Sequence, residues 1–496
     1  MNRRDFLRTA GIVTAGLTVN AADVRAEKKS AAENKSKDQR PNVLWIVSED
    51  TSPDFACYGE KLVKTPNVDR LASEGAMFTN AFAACPVCSP TRSAFNTGMY
   101  QTTIGAHHHR SHRRDGYKLP EPVKHVSDMF RDAGYYTFNS NGLNWKKPGK
   151  LDYNFKLDGN AFDGTDWRDR KNGQPFYGQV NLFLTHRKFK RDKDRPIDAD
   201  DVKLPPYYPD DPLTRRDWAD YLESVQVLDG MIGEVLDRLE ADGLADNTVV
   251  FYFGDHGRAH LRAKQWLYEG GIRVPLVVRW PDKIAPGTVR DDLVSQIDFV
   301  PTSLAACGID TPDYLQGVDF LGNGETDREY IFAARDRCDE TTDRIRCVRT
   351  KRFKYIRNFY PDRPYTQMNC YKMQAYPALS LLQLWKQQGK LTDAQKPFMA
   401  DVRPKEELYD LQSDPWEINN LAGDAKYADK LAELRGVLDK WIEETEDKGQ
   451  TPEDAQTRKY WQNFFEKRYA KIMKNRGLGE DPSPAQRVAW WREKML

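Results

Sequence analysis

The sequence predicts an α/β fold: a mostly parallel sheet flanked by helices, followed by a smaller C-terminal α+β subdomain containing an antiparallel sheet. Three observations lead there. Val43-Leu44-Trp45-Ile46-Val47 and Val249-Val250-Phe251-Tyr252-Phe253 are unbroken apolar runs of strand length, as strands buried on both faces of a parallel sheet require. Between them, Leu222, Val225, Leu228, Ile232, Val235, Leu236 and Leu239 recur at helical spacing. Past about residue 325 the texture changes to short strands with charged flanks.

Taken in order, the first strand (43–47) hands Ser48-Glu49-Asp50 to its carboxyl end. Residues 67–75 and 126–133 read as helices, the second ended by Gly134, and Tyr135-Tyr136-Thr137-Phe138 as a strand. A strand around 180–185 precedes His186. The helix over 217–239 stops at Gly243, and the strand 248–253 hands over Gly254-Asp255-His256-Gly257. Residues 274–278 form a further strand. In folds of this class ligands bind beyond the carboxyl ends of the strands, and two strands end there in acids. Later, 345–348, 353–357 and 407–411 read as strands, 428–445 as an amphipathic helix and 446–496 as a charged helical extension. The expected division is a catalytic domain over 41–325, a C-terminal subdomain over 326–450 and an extension over 451–496.

The chain has 496 residues, enough for about three domains at roughly 150 residues each. Its net charge is +1, which argues against a nucleic-acid binder. Aromatic residues, 11%, are too abundant for disorder. Seven cysteines are too few for a disulfide scaffold, and the odd number leaves at least one thiol unpaired. The N-terminus resembles a twin-arginine signal: Arg3-Arg4, then Asp5-Phe6-Leu7-Arg8, a weakly apolar stretch over 10–19, and a small-residue cleavage site at Val24-Arg25-Ala26 or Val19-Asn20-Ala21. The apolar stretch is too short to cross about 30 Å of hydrocarbon. Residues 1–26 are therefore expected to be an export signal and 27–40 a flexible linker. The expected location is periplasmic or extracellular, with no membrane span in the mature protein and the twin-arginine export machinery as a partner.

The sharpest chemical signal is Cys85-Pro86-Val87-Cys88-Ser89-Pro90-Thr91-Arg92, ending at Thr97-Gly98. It places a cysteine at the start of an expected helix, whose N-terminus favours negative charge, with a permanent cation four residues on. The second signal is the set Glu49, Asp50 and Asp255 with His256 adjacent. Either acid pair alone would read as ordinary surface carboxylates. Both pairs directly after buried strands point to a hard cation between them.

These motifs, together with Thr65-Pro66-Asn67-Val68-Asp69-Arg70-Leu71-Ala72 and Glu269-Gly270-Gly271-Ile272-Arg273-Val274-Pro275, resemble those of the formylglycine-dependent sulfatases of the alkaline phosphatase superfamily, over about residues 41–425. Within that family the heparan N-sulfatase-like branch is the nearest. The resemblance implies an alkaline-phosphatase-like fold. It also implies oxidation of Cys88, the only cysteine with Pro90 and Arg92 at the right offsets, to formylglycine (3-oxoalanine) by a formylglycine-generating enzyme. It implies a Ca²⁺ site, with Mg²⁺ the second choice, on Glu49, Asp50, Asp255, His256 and the modified Cys88. Two ligands depart from the usual pattern: Glu49 stands for Asp, and His256 for Asn.

The resemblance further assigns Lys264 to sulfate binding and His186 to protonation of the leaving oxygen. Lys150 and Asp152 align with a Lys-x-His pair after an apparent insertion over 141–149, with Lys146 or Lys147 as competitors for Lys150, so Asp152 replaces a histidine. The implied reaction is attack on sulfur by one hydroxyl of the hydrated aldehyde, with Asp255 taking its proton. Arg92, Lys150, Lys264 and the metal stabilise the sulfuryl oxygens, and the second hydroxyl then expels sulfate. The tract His107-His108-His109-Arg110-Ser111-His112-Arg113-Arg114 lacks helical or metal-finger spacing and reads either as a loop at the entrance for an anionic substrate, with His108 and Arg110 as contacts, or as a solvated loop. Asp339 and Glu340 are expected to reach sugar hydroxyls from the C-terminal part. The substrate is thus a sulfated glycan. The alternatives are a phosphodiester or phosphonate monoester hydrolase of the same superfamily, or a catalytically silent carbohydrate-binding homologue.

Overall fold

The expected apolar strands lie at the centre of an eight-stranded sheet. In chain order its strands are β1 (Asn42–Ser48), β2 (Ala76–Phe82), β3 (Tyr136–Asn141), β4 (Asn144–Pro148), β5 (Phe176–Leu182), β6 (Thr248–Gly254), β7 (Arg273–Arg279) and β8 (Thr288–Ser295), arranged β4-β3-β5-β1-β6-β7-β2-β8. The inner strands β3, β5, β1 and β6 are parallel neighbours. β7 runs antiparallel to both β6 and β2, β8 is parallel to β2, and β4 is antiparallel to β3. This computed structural model describes residues 40–110, 115–322 and 326–496. The expected signal, 1–26, and the linker up to residue 39 lie outside the described residues, as do 111–114 of the histidine-rich tract.

The unbroken apolar runs have a simple cause. Leu44, Ile46, Val250 and Tyr252 point into a core shared with the helix Pro212–Ala241. Val43, Trp45, Val47, Val249, Phe251 and Phe253 point into a second core on the opposite face. Successive side chains alternate faces, so both parities must be apolar when both faces are covered. Register then fixes the site. Ser48 pairs with Leu182 on one side and Gly254 on the other, so the chains leaving β1, β5 and β6 emerge together at one edge.

Several boundaries differ from expectation. The long helix starts at Pro212, capped by the Asp211 side chain accepting from Leu213 N at 2.9 Å. Its first turns carry Asp217, Asp220 and Glu223, paired to Arg187 and Arg216, and this charge hid the helical pattern. β5 spans Phe176–Leu182 rather than 180–185; Gly178, Gln179 and Asn181 interrupt its apolar run. Gly178 is required by a close approach: a Cβ there would lie 1.9 Å from the Phe138 ring. β2, interrupted by Thr79-Asn80, and β8, interrupted by Arg290-Asp291-Asp292, were not anticipated. The insertion over 141–149 is a hairpin that adds β4 to the sheet edge.

The C-terminal sheet is antiparallel, β12-β11-β10-β9, from β9 (Ile331–Arg335), β10 (Ile345–Arg349), β11 (Phe353–Asn358) and β12 (Glu406–Asp410). Leu434, Leu438 and Trp441 of the helix Ala428–Glu444 cover it. Beyond it are two helices, Ala455–Asn475 and Pro484–Met495, which pack on Cys370–Ala375 and Pro377–Gln387 respectively. All seven cysteines are free thiols. Among the described residues no helix is long and apolar enough to cross a membrane.

Candidate active site

The helix Cys88–Phe95 begins at the motif cysteine, directly after the extended Val87. Phe95, at its far end, packs edge-on against Trp45 of β1 and Phe253 of β6, with ring centroids 6.2 and 5.4 Å apart. Thr91 Oγ1 donates to Gln296 Oε1 at 2.7 Å, and Gln296 Nε2 donates to the Gly254 and Asp255 carbonyls at 2.6 and 2.9 Å. The helix is thus tied to the strand ends along the face that carries Thr91 and Phe95. Cys88 Sγ lies 3.2 Å from His256 Nε2, 3.6 Å from Glu49 Oε1 and 4.0 Å from Asp50 Oδ1.

Asp50 holds a left-handed backbone, φ 55°. A non-glycine residue there costs about 1–3 kcal/mol, and such strain concentrates at functional sites. The conformation lets Asp50 N donate to Asp255 Oδ1 at 2.9 Å, which also accepts from His256 N at 2.9 Å. The other oxygen, Asp255 Oδ2, accepts from Arg92 Nε at 3.1 Å. Arg92 also donates to Asn181 Oδ1 at 2.7 Å, and Asn181 Nδ2 in turn to Asn139 Oδ1 at 2.6 Å. Arg92 is buried. The Arg92 guanidinium thus spans Asp255 and Asn181. His256 Nδ1 donates to the Gly257 carbonyl at 2.9 Å, which leaves the Nε2 lone pair directed at the cluster.

Cations close the other side. Lys264 Nζ donates to both oxygens of Asp50 at 2.8 Å. Its loop is pinned by Lys264 N to the Arg258 carbonyl at 3.0 Å and by Gln265 N to the Pro86 carbonyl at 2.8 Å. Lys150 Nζ pairs with Glu49 and lies 3.5 Å from Asp152 Oδ2. His186 Nε2 is 3.9 Å from Asp50 Oδ2, and its Nδ1 donates to the Arg187 carbonyl at 2.7 Å. Glu49, Lys150, Asp152 and His186 line a cavity of about 990 Å³.

Burial raises the Glu49 and Asp255 carboxyls, but opposing charges win at both. Lys150 and Arg92 hold Glu49 below its ordinary range, and His256 and Arg92 hold Asp255 below its own. Burial pushes the Cys88 thiol up to about 11 despite Lys150 and Lys264, so an unmodified thiol here is a poor nucleophile. Burial works against the Lys264 ammonium, yet Asp50 keeps it well above its ordinary value.

Of the four expected substrate contacts, only Arg110 lines the cavity. His108 Nδ1 accepts from Arg337 N at 3.3 Å, and its ring packs on His107. Asp339 is 3.0 Å from His109 Nδ1 and 3.6 Å from Arg110, and Glu340 accepts from Cys370 N. Burial pushes Glu340 up to about 7. Mixed charge at 335–340 is therefore used inside the protein, because the loop folds under the histidine tract instead of facing out.

Sequence reasoning missed Asn181, Gln296 and Tyr371. Asn181 had a signal, a polar residue within an apolar strand. Tyr371 had none: it comes from the helix Cys370–Ala375 and sets its ring 5.1 Å from Lys264 Nζ and 5.9 Å from the His186 ring.

A cysteine at a helix start, acids at the ends of parallel strands and lysines around an open cavity define an enzyme that takes an anionic ester. Residues 41–309 match the Sulfatase family, and residues 254–388 match the family described as N-sulphoglucosamine sulphohydrolase, C-terminal. The chain belongs to the sulfatase family, and the protein is a sulfuric ester hydrolase. It is 35% identical over 490 aligned residues to an ulvan-active sulfatase of Formosa agariphila, covering 88% of this chain and 80% of that one. Among solved structures, one in complex with its substrate D-glucosamine-2-N,6-O-disulfate shares the fold, with a TM-score of 0.57 and 20% identity over 82% of this chain and 99% of that one. The phosphonate monoester hydrolase of Agrobacterium radiobacter also shares it, with a TM-score of 0.60 and 19% identity over 82% of this chain and 96% of that one. The fold expected from the resemblance is the one observed.

Proposed function

We propose that this enzyme releases sulfate from a sulfated carbohydrate, using Cys88 matured to formylglycine and a divalent metal, Ca²⁺ before Mg²⁺. The observation that carries this reading is the convergence of Glu49, Asp50 and His256 on Cys88 Sγ within 4.0 Å. Each of the three carboxylates, Glu49, Asp50 and Asp255, has one cationic partner, Lys150, Lys264 or Arg92, and keeps further oxygen lone pairs for a ligand. The donors are mostly carboxylate oxygens, and the His256 tautomer offers one nitrogen lone pair. That set fits a hard cation held by Glu49, Asp50, Asp255, His256 and the group at position 88. When bound, the metal supplies Lewis-acid polarisation and the formylglycine hydrate an oxygen nucleophile.

The chain's own residues do the rest. Asp255, kept ionised by Arg92, accepts the nucleophile's proton. Lys150 and Lys264 hold the sulfuryl oxygens, and Arg92 acts through Asp255. His186 Nε2 delivers a proton to the leaving oxygen. Asp152, beside Lys150, is the second base. Residues 1–26 support export by the twin-arginine machinery, and maturation calls for a formylglycine-generating enzyme. The test is the mass of the peptide bearing residue 88 from active enzyme, with sulfate release from sulfated glycans alongside. An aldehyde or its hydrate is expected, and Cys88→Ala should be inactive. An ordinary thiol in active enzyme refutes the reading, and faster turnover of a phosphodiester than of an aryl sulfate favours the phosphonate-hydrolase alternative.

A further inference from the structure

We infer that the mouth of the cavity carries a second anion subsite, formed by Arg110, Lys156 and Lys188, for a carboxylate or sulfate on the glycan beside the scissile sulfate. This rests on the sulfatase reading above. The inner cations of the site are neutralised where they stand: Lys264 by Asp50, Lys150 by Glu49 and Arg187 by Asp217. The outer ones are not. Lys156 and Lys188 line the cavity and are exposed, and among the described residues neither ammonium pairs with a carboxylate.

Both lysines stand on rigid supports. Lys156 follows Phe155, whose ring stacks on Tyr153 with centroids 5.3 Å apart, and its own N–H donates to the Tyr117 carbonyl at 2.6 Å. Lys188 follows Arg187, whose guanidinium grips Asp217 with two bonds of 2.6 and 2.7 Å. Arg110 is held more firmly still. Its backbone is left-handed, φ 63°, fixed by Arg110 N donating to Asn154 Oδ1 at 3.0 Å, with Asn154 Nδ2 donating to the Ala106 carbonyl at 2.8 Å. Among the described residues its carboxylate neighbour is Asp339, 3.6 Å away and shared with His109, so Arg110 is only partly neutralised. Strain spent on aiming an arginine into a cavity points to a ligand contact.

The two carboxylates on the same walls, Glu49 and Asp152, both lie against Lys150 and leave Lys156 and Lys188 unopposed. At about 990 Å³ the cavity is at the upper end of ordinary ligand pockets, roughly 300–1,000 Å³, and far exceeds one sulfate group. A glycan with a second anion reaches these cations while its scissile sulfate sits between Lys150 and Lys264.

The test uses full-length enzyme matured at Cys88 and three disaccharides that share one scissile sulfate. Their neighbouring group is a uronate, a second sulfate or a neutral hydroxyl. Each exposed cation contributes a factor of about two to five at low salt, so kcat/KM for an anionic neighbour should exceed that for the neutral one by about tenfold or more. In Lys156→Ala/Lys188→Ala that ratio should fall several-fold, and rising salt should compress the wild-type ratio in the same way. A ratio that responds only with the uronate identifies the ligand as a carboxylate, and one that responds only with the second sulfate identifies a sulfate; both support the subsite. A ratio near one in the wild type, or one the double substitution does not move, overturns it. Sulfate released from none of the three or from an aryl sulfate overturns the sulfatase reading beneath it.

Discussion

Replacing His186 with alanine should separate two classes of substrate. The His186 Nδ1 proton is committed to the Arg187 carbonyl at 2.7 Å, so Nε2 is the nitrogen that takes up and gives a proton at the cavity. The side chain is 34% exposed, enough for reprotonation from solvent between turnovers. A sugar alkoxide is a strong base and leaves poorly without a proton; an activated phenolate leaves readily without one. General acid catalysis contributes about 10²- to 10⁴-fold, or roughly 3–5.5 kcal/mol of barrier. His186→Ala should therefore cut kcat/KM on a sugar sulfate by at least about 10² while slowing an activated aryl sulfate by less than about tenfold. One half-exposed hydrogen bond is worth only about 1 kcal/mol, so the loss cannot come from unfolding, and melting curves will show it. Lys264→Ala is the contrasting control. Its ammonium holds Asp50, and in the proposed reaction it also holds the sulfuryl oxygens, so both substrates should lose about 10²- to 10³-fold. If His186→Ala slows both substrates equally, His186 is a sulfate or metal contact and not the acid.

Two further outcomes follow from the buried charges. Stripping divalent metal should abolish turnover, and Ca²⁺ should restore it at about one equivalent by elemental analysis; full activity in metal-free enzyme refutes the ligand set of Glu49, Asp50, Asp255 and His256. Lys372 is 2% exposed, 3.7 Å over the Trp266 ring, and burial with help from Arg335 pulls its ammonium down to about 7 from 10.5. Between those values the unfolded chain holds the proton more than the folded one, so this lysine costs stability increasingly as pH falls from 10.5 to 7. At 1.36 kcal/mol per pH unit the cost at neutral pH is on the order of 4 kcal/mol. Lys372→Met should raise the denaturation midpoint at pH 7 and lose that advantage near pH 10.5; a gain independent of pH refutes the assignment.

Much was legible in the sequence because some physics is local. β1 and β6 had to be unbroken apolar runs, since both of their faces are covered, and a run of that kind needs no partner to be recognised. Glu49-Asp50 and Asp255-His256 announced themselves as polar pairs directly after those runs, and Cys88-Ser89-Pro90-Thr91-Arg92 as a dense local pattern. Tertiary structure alone decided the rest, because it depends on register and on residues far apart in the chain. Arg92 and Asp255 are 163 positions apart, and only the common exit edge of the sheet brings that arginine onto the carboxylate. β2 is broken by Thr79-Asn80 and β8 by Arg290-Asp291-Asp292, and both become strands because neighbours complete their hydrogen bonds. Asp339 and Glu340, charged enough to suggest a surface, are folded inward by the loop that carries them, while Arg110, Lys156 and Lys188 meet at one cavity from three separate segments. Composition shows that such charges exist; the packing of the chain settles which are neutralised and which stand exposed at a cavity.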